Sequence, residues 1–140
     1  MDLKIASWNV NSLNVRLPHV LAWCDAAAPD ILALQETKLT DDRFPAEPLR
    51  EAGYHSVFSG QKTYNGVAIL SRLPIEDAGQ IDWCTRGDAR HVAARLPGGV
   101  VLHNFYIPAG GDGASQGGTG TWDTSTTNWD RGWGFAGPVA

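Results

Sequence analysis

The sequence predicts a mixed α/β sheet protein. Three observations lead there. A strand-like, a helical and a second strand-like pattern follow one another over residues 3–35. From residue 54 onward come four short β-rich runs separated by turn residues. The chain has 140 residues, 43% hydrophobic and 19% charged, which suits one domain with one modest core.

Each element has its own signal. Residues 3–10 alternate as a strand and end at Asn9 and Asn11. From Leu17, the apolar residues Leu17, Val20, Leu21, Cys24, Ala27 and Ala28 fall on one helical face. Pro18 suits the first turn of that helix and Pro29 ends it. Residues 31–35, "ILALQ", read as a buried strand. Strand, helix and strand at this spacing form a βαβ unit, so the two strands are expected to be parallel. Asn9 and Glu36 then emerge together at the carboxyl ends, where open α/β sheets hold ligands. A short helix is expected at residues 45–52, closed by Gly53. "YHSVFSG", "GVAILSR", "RHVAARL" and "VVLHNFYIP" read as strands, and "LPGGV" as a hairpin turn.

The composition breaks at Ala109. The last 32 residues hold nine glycines and three tryptophans, with no lysine, leucine or isoleucine. Such a segment cannot bury a core by ordinary means and reads as a tail. The other reading is a β-repeat piece, since Trp122 and Trp129 are seven apart with a Thr/Ser run between them. The expected organisation is a domain over residues 1–111 and a Gly/Trp/Thr-rich tail over 112–140.

Charge and processing signals narrow the class. The net charge of −4 does not favour a nucleic-acid binder, which usually shows a basic face. The balance is uneven, however: residues 1–111 carry ten of the eleven Lys and Arg and twelve of the fifteen acids. A metal-dependent nuclease also keeps acids at its centre, so the total decides little. No apolar run approaches a bilayer span, and "MDLKIASWNV" lacks the basic end and long apolar stretch of a signal peptide. Cys24 and Cys84 read as free thiols of a reducing compartment, so a cytoplasmic location is expected.

The candidate site gathers around Glu36. A carboxylate at a strand end suits a hard cation, which keeps several waters and takes substrate phosphate as a further ligand. The alternative is an ordinary ion pair with Lys38. Asn9 can orient a carboxylate or phosphate oxygen without adding charge, whereas Asn11 and Ser12 read as ordinary loop or cap residues. Lys38, Lys62 and Arg90 can meet phosphates, although surface lysines usually do nothing specific. Asn65 stands beside Gly66, where a close backbone approach is available. Tyr106 can donate a hydrogen bond to a phosphoryl oxygen, against the commoner role of a half-buried aromatic. His19, His55, His91 and His103 read as structural.

"KIASWNVNSLNVRLPHVLAW", "PDILALQETKL", "GYHSVFSGQKTYNGVAILSR" and "NFYIPAGGD" together resemble the exonuclease III group of abasic-site endonucleases, within the wider endonuclease/exonuclease/phosphatase fold. The likeness runs from Lys4 to about Asp112. "LQE" alone occurs across the superfamily, including phosphatases of small molecules; the Thr-Lys after it points to the DNA-repair branch. The resemblance implies part of a two-sheet β-sandwich flanked by helices, with Mg²⁺ or Mn²⁺ as cofactor. It implies double-stranded DNA with abasic sites or 3′ ends as partner. It implies Glu36 and Asn9 at the metal, Tyr106 at the scissile phosphate and Lys38 near the site.

The later elements of that family, an Asp-x-Asn pair, a further aspartate and a C-terminal Asp-His, set a second expectation. No Asp here is followed two places later by Asn, and no Asp-His occurs. The second sheet is therefore expected to be largely absent, the inner face of the first exposed, and activity low or nil. The competing reading is a non-enzymatic fragment or fusion remnant whose tail, similar to the Trp- and Thr-rich repeats of autotransporter passengers, is a β-rich interaction segment.

Overall fold

The computed structural model describes residues 2–83 and 85–108. Cys84, the expected 111/112 boundary and the Trp122/Trp129 repeat lie outside the described residues. The architecture below is that of the unit ending at Tyr106.

Its elements are β1 (Ile5–Asn9), α1 (Leu13–Ala27), β2 (Ile31–Gln35), a 3-10 turn (Asp41–Arg43), α2 (Ala46–Glu51), β3 (His55–Ser59), β4 (Val67–Ser71), β5 (Glu76–Gly79), β6 (His91–Arg95) and β7 (Val101–Phe105). One sheet has the order β1-β2-β4-β3 and the other β5-β6-β7. β1 and β2 are parallel, with Asn9 paired to Gln35, as the βαβ reading requires. Every other pairing is antiparallel. This is an α/β protein with two sheets and few helices.

β2 and β4 are buried along their whole length. Their unbroken apolar runs follow from having a layer on each side. Leu32, Leu34, Ala68 and Leu70 pack with Val10, Leu13, Val20 and Cys24 at α1, and with Leu49 of α2. Ile31, Val57, Val67 and Ile69 pack on Val92, Ala94 and Leu96 from the second sheet. The hairpin at 96–100 closes as expected: Gly98 and Gly99 take φ of +91° and +89°, and Leu96 N–H donates to Val100 O at 2.7 Å.

Two expectations need correction. The inner face of the first sheet is not exposed: Ile31, Val67 and Ile69 are fully buried, because β6 and β7 already supply enough of the second sheet to cover them. The first helix begins at Leu13, which places Pro18 in its second turn. It starts early because Ser12 and Leu13 N–H donate to Glu36 and Thr37 carbonyls at 2.8 and 3.0 Å, satisfying donors that a helix start leaves open. β5 has no sequence signal, because "EDAG" is a fully exposed edge strand without an apolar face.

Candidate active site

The site is built where β2 ends. Glu36 and Lys38 both hold φ of +55°, and Thr37 between them is buried. This turn is pinned from both sides. The start of α1 takes the Glu36 and Thr37 carbonyls, while Thr37 and Lys38 N–H donate to Gly66 and Asn65 carbonyls at 3.1 and 2.9 Å. Gly66 holds φ of +91°, and a Cβ there would collide with Thr37 Oγ1. The close approach expected at Gly66 is therefore present, and only glycine permits it.

Glu36 is partly exposed and, among the described residues, is approached by Tyr106 and Lys38. Tyr106 O–H donates to Glu36 Oε1 at 3.2 Å, so residues 70 positions apart meet across the two sheets. Lys38 Nζ lies 4.0 Å from the same oxygen and donates to Asn11 Oδ1 at 2.7 Å. Asn9, paired beside Gln35, accepts from Asn11 N–H at 3.1 Å through its side-chain oxygen. Burial, and next the Glu36 carboxylate, raise the Tyr106 phenol above its ordinary range, so it stays protonated and able to donate.

Arg90 and Asn65 form a second cluster next to this one. Arg90 Nη2 is 2.8 Å from Asp88 Oδ2, and its Nε donates to Asn65 Oδ1 at 3.3 Å. The Arg90 carbonyl accepts from Tyr106 N–H at 2.8 Å, so this cluster is one backbone bond from the tyrosine. Lys62 is different. It is exposed on the loop before β4, and among the described residues it makes none of the side-chain contacts at Glu36.

The structure thus brings together Asn9, Glu36, Lys38 and Tyr106, and places Asn65 and Arg90 alongside. It adds residues that sequence reading passed over. Asn11, read as ordinary loop, is the hydrogen-bond partner of Lys38. Asn104 is buried and donates to Leu34 and Ala68 carbonyls at 2.8 and 2.9 Å, while its oxygen accepts from Gln35 Nε2 at 2.8 Å. The one sequence signal for it is a polar residue on the inward face of an apolar strand.

As a metal centre the donor set is sparse. Among the described residues no group of three His, Cys, Asp or Glu converges. The Glu36 carboxylate and the Asn9 amide oxygen are donors of the kind Mg²⁺ takes, and one protein carboxylate is the lower end of what such sites use.

A model described as the endonuclease/exonuclease/phosphatase family matches residues 6–134. Over 71 residues the chain is 42% identical to exodeoxyribonuclease III of Haemophilus influenzae, covering 50% of this chain and 26% of that protein. An AP endonuclease structure from Archaeoglobus fulgidus superposes with a TM-score of 0.71 at 41% identity, over 78% of this chain and 42% of that one. The 3′ phosphatase NExo from Neisseria, solved with product DNA hairpin, gives a TM-score of 0.67 at 48% identity, over 75% and 41%. The chain therefore spans about a quarter to two fifths of these relatives' length.

Proposed function

The chain belongs to the endonuclease/exonuclease/phosphatase family, and from that membership we propose that it carries part of a divalent-metal-dependent phosphodiesterase site for double-stranded DNA with abasic sites or 3′ ends. The observation that carries this reading is the meeting of Tyr106 and Glu36 across the sheets, at 3.2 Å, beside Lys38, with Asn9 paired in register to the residue before Glu36. Relatives named as an exodeoxyribonuclease and an AP endonuclease support DNA as the substrate class.

In this reading Glu36 and Asn9 hold Mg²⁺ or Mn²⁺. A bound cation of that kind would polarise the phosphoryl oxygen and offset developing charge. Lys38 keeps a positive charge at the metal-facing carboxylate, with Asn11 fixing its ammonium. Tyr106, protonated, donates to a phosphoryl oxygen as charge grows there. Asn65 and Arg90 meet backbone phosphates, and Lys62 adds a loosely placed charge. A cytoplasmic setting, read from cysteine usage, belongs to the same proposal.

A second reading has its own observation. The 140 residues contain no Asp-x-Asn and no Asp-His, so nothing in them matches the group that would orient the attacking water. We therefore propose that this chain by itself cuts DNA weakly or not at all. The test is a nicking assay on duplex DNA with one abasic-site analogue, run with Mg²⁺, with EDTA, and with Glu36→Ala. No cutting, beside a full-length relative that cuts, is the expected result. Metal-dependent cutting abolished by Glu36→Ala would show that the partial site suffices and overturn the proposal of inactivity. Cutting that persists in EDTA or in the variant would overturn the site assignment.

A further inference from the structure

Arg90 is held on two sides: its Nη2 by Asp88 Oδ2 at 2.8 Å and its Nε by Asn65 Oδ1 at 3.3 Å. Both holders are themselves held by one side chain, Gln61, on the β3–β4 loop that also carries Asn65. Gln61 Oε1 accepts from Asn65 Nδ2 at 3.1 Å and from Ala89 N–H at 2.6 Å. Gln61 Nε2 donates to Asp88 Oδ1 at 3.5 Å. A single amide therefore touches a partner on each side of the guanidinium and the backbone just before it.

We propose that Gln61 is a positioning residue that fixes the Arg90 guanidinium for a DNA backbone phosphate. The proposal deepens the functional reading above and rests on it. The chemistry requires an amide. One end must accept two hydrogen bonds while the other donates to a carboxylate. Methionine has similar length, accepts only weakly and donates nothing. Glutamate keeps the acceptor but sets a carboxylate against Asp88. Asn65 sits at φ of +57°, a left-handed conformation that asparagine tolerates, and the bond to Gln61 fixes its side chain there. A guanidinium held in place loses less freedom on meeting a phosphate, and its planar fork makes that orientation matter.

The test is a double-mutant cycle on the full 140-residue chain. Binding of a fluorescein-labelled duplex with one tetrahydrofuran abasic analogue is followed by anisotropy in EDTA over a salt series. The variants are Gln61→Met, Arg90→Gln and both together, with urea midpoints measured alongside. Arg90→Gln should reduce the slope of log affinity against log salt by about 0.9, the loss of one phosphate contact. Gln61→Met should weaken binding about fivefold when Arg90 is present and less than about twofold on top of Arg90→Gln, because coupled residues are not additive. Gln61→Leu, which also removes the amide and adds no charge, should behave likewise, and it carries the cycle if Gln61→Met fails to fold. Equal losses in both backgrounds, or a fall in urea midpoint with unchanged affinity, would make Gln61 merely structural and leave the DNA reading standing. A wild-type chain that binds no duplex would overturn the DNA reading, and this proposal with it.

Discussion

Glu36, Lys38, Asn11, Ser12 and Asn65 all hold positive φ, and all lie where β1 and β2 end or where β4 is about to begin. A left-handed conformation costs a residue with a side chain roughly 1–2 kcal/mol. Such costs gather where the surrounding structure over-determines them, and the backbone bonds from Ser12, Leu13, Thr37 and Lys38 do that here. Gly66 is the residue on which this turn depends. Gly66→Ala should destabilise the protein by roughly 2–4 kcal/mol, combining the left-handed cost with the clash against Thr37. Chemical denaturation measures it, and a change below about 0.5 kcal/mol, the range of an ordinary surface substitution, would refute the packing described.

At the scale of elements, the β5–β6 connection is latched by a buried imidazole. Ile81 N–H donates to His91 Nδ1 at 2.9 Å, so the neutral ring carries its proton on Nε2, 3.0 Å from His103 Nδ1. Trp83 sits edge-on against the same ring. Burial, and then His103, lower the His91 pKa. The sign follows: the unfolded ring takes a proton near pH 6.5, while the folded ring resists it until lower pH. Stability is then complete above about pH 6.5 and falls as the pH drops below it. Urea midpoints at pH 7.5 and 5.0 should therefore differ more for the wild type than for His91→Leu. Equal pH dependence in the two would show that His91 is not the group responsible.

At the scale of the whole described unit, Asn104 clamps one sheet to the other. Its amide bonds to Leu34 and Ala68 on the first sheet, and Gln35 bonds back to its oxygen. Leu34 is two residues before Glu36 and Asn104 two before Tyr106, so the clamp sits directly behind the pair that defines the site. Asn104→Leu keeps the branched outline, with somewhat more bulk, but leaves buried polar atoms without partners. It should cost roughly 2–4 kcal/mol in urea denaturation, since each buried unsatisfied group costs about 1–3 kcal/mol. A neutral effect would mean that water or a shifted Gln35 restores the bonds.

Local pattern was enough for much of this. The parallel β1–β2 pair, the hairpin at 96–100, the Gly66 approach and the placing of Asn9 and Glu36 at one sheet edge follow from period, turn residues and connection handedness, all properties of neighbouring residues. The resemblance carried by "LQETK" likewise lies in adjacent residues. Tertiary structure decided what depends on distant partners. The helix starts at Leu13 because carbonyls of Glu36 and Thr37 cap it, and nothing within 13–28 encodes that. β5 exists because β6 offers it an edge. Asn11, Gln61 and Asn104 matter through bonds to residues 27, 28 and 70 positions away. A hydrogen bond requires two groups within about 3 Å, and for such pairs only the folded chain sets that distance.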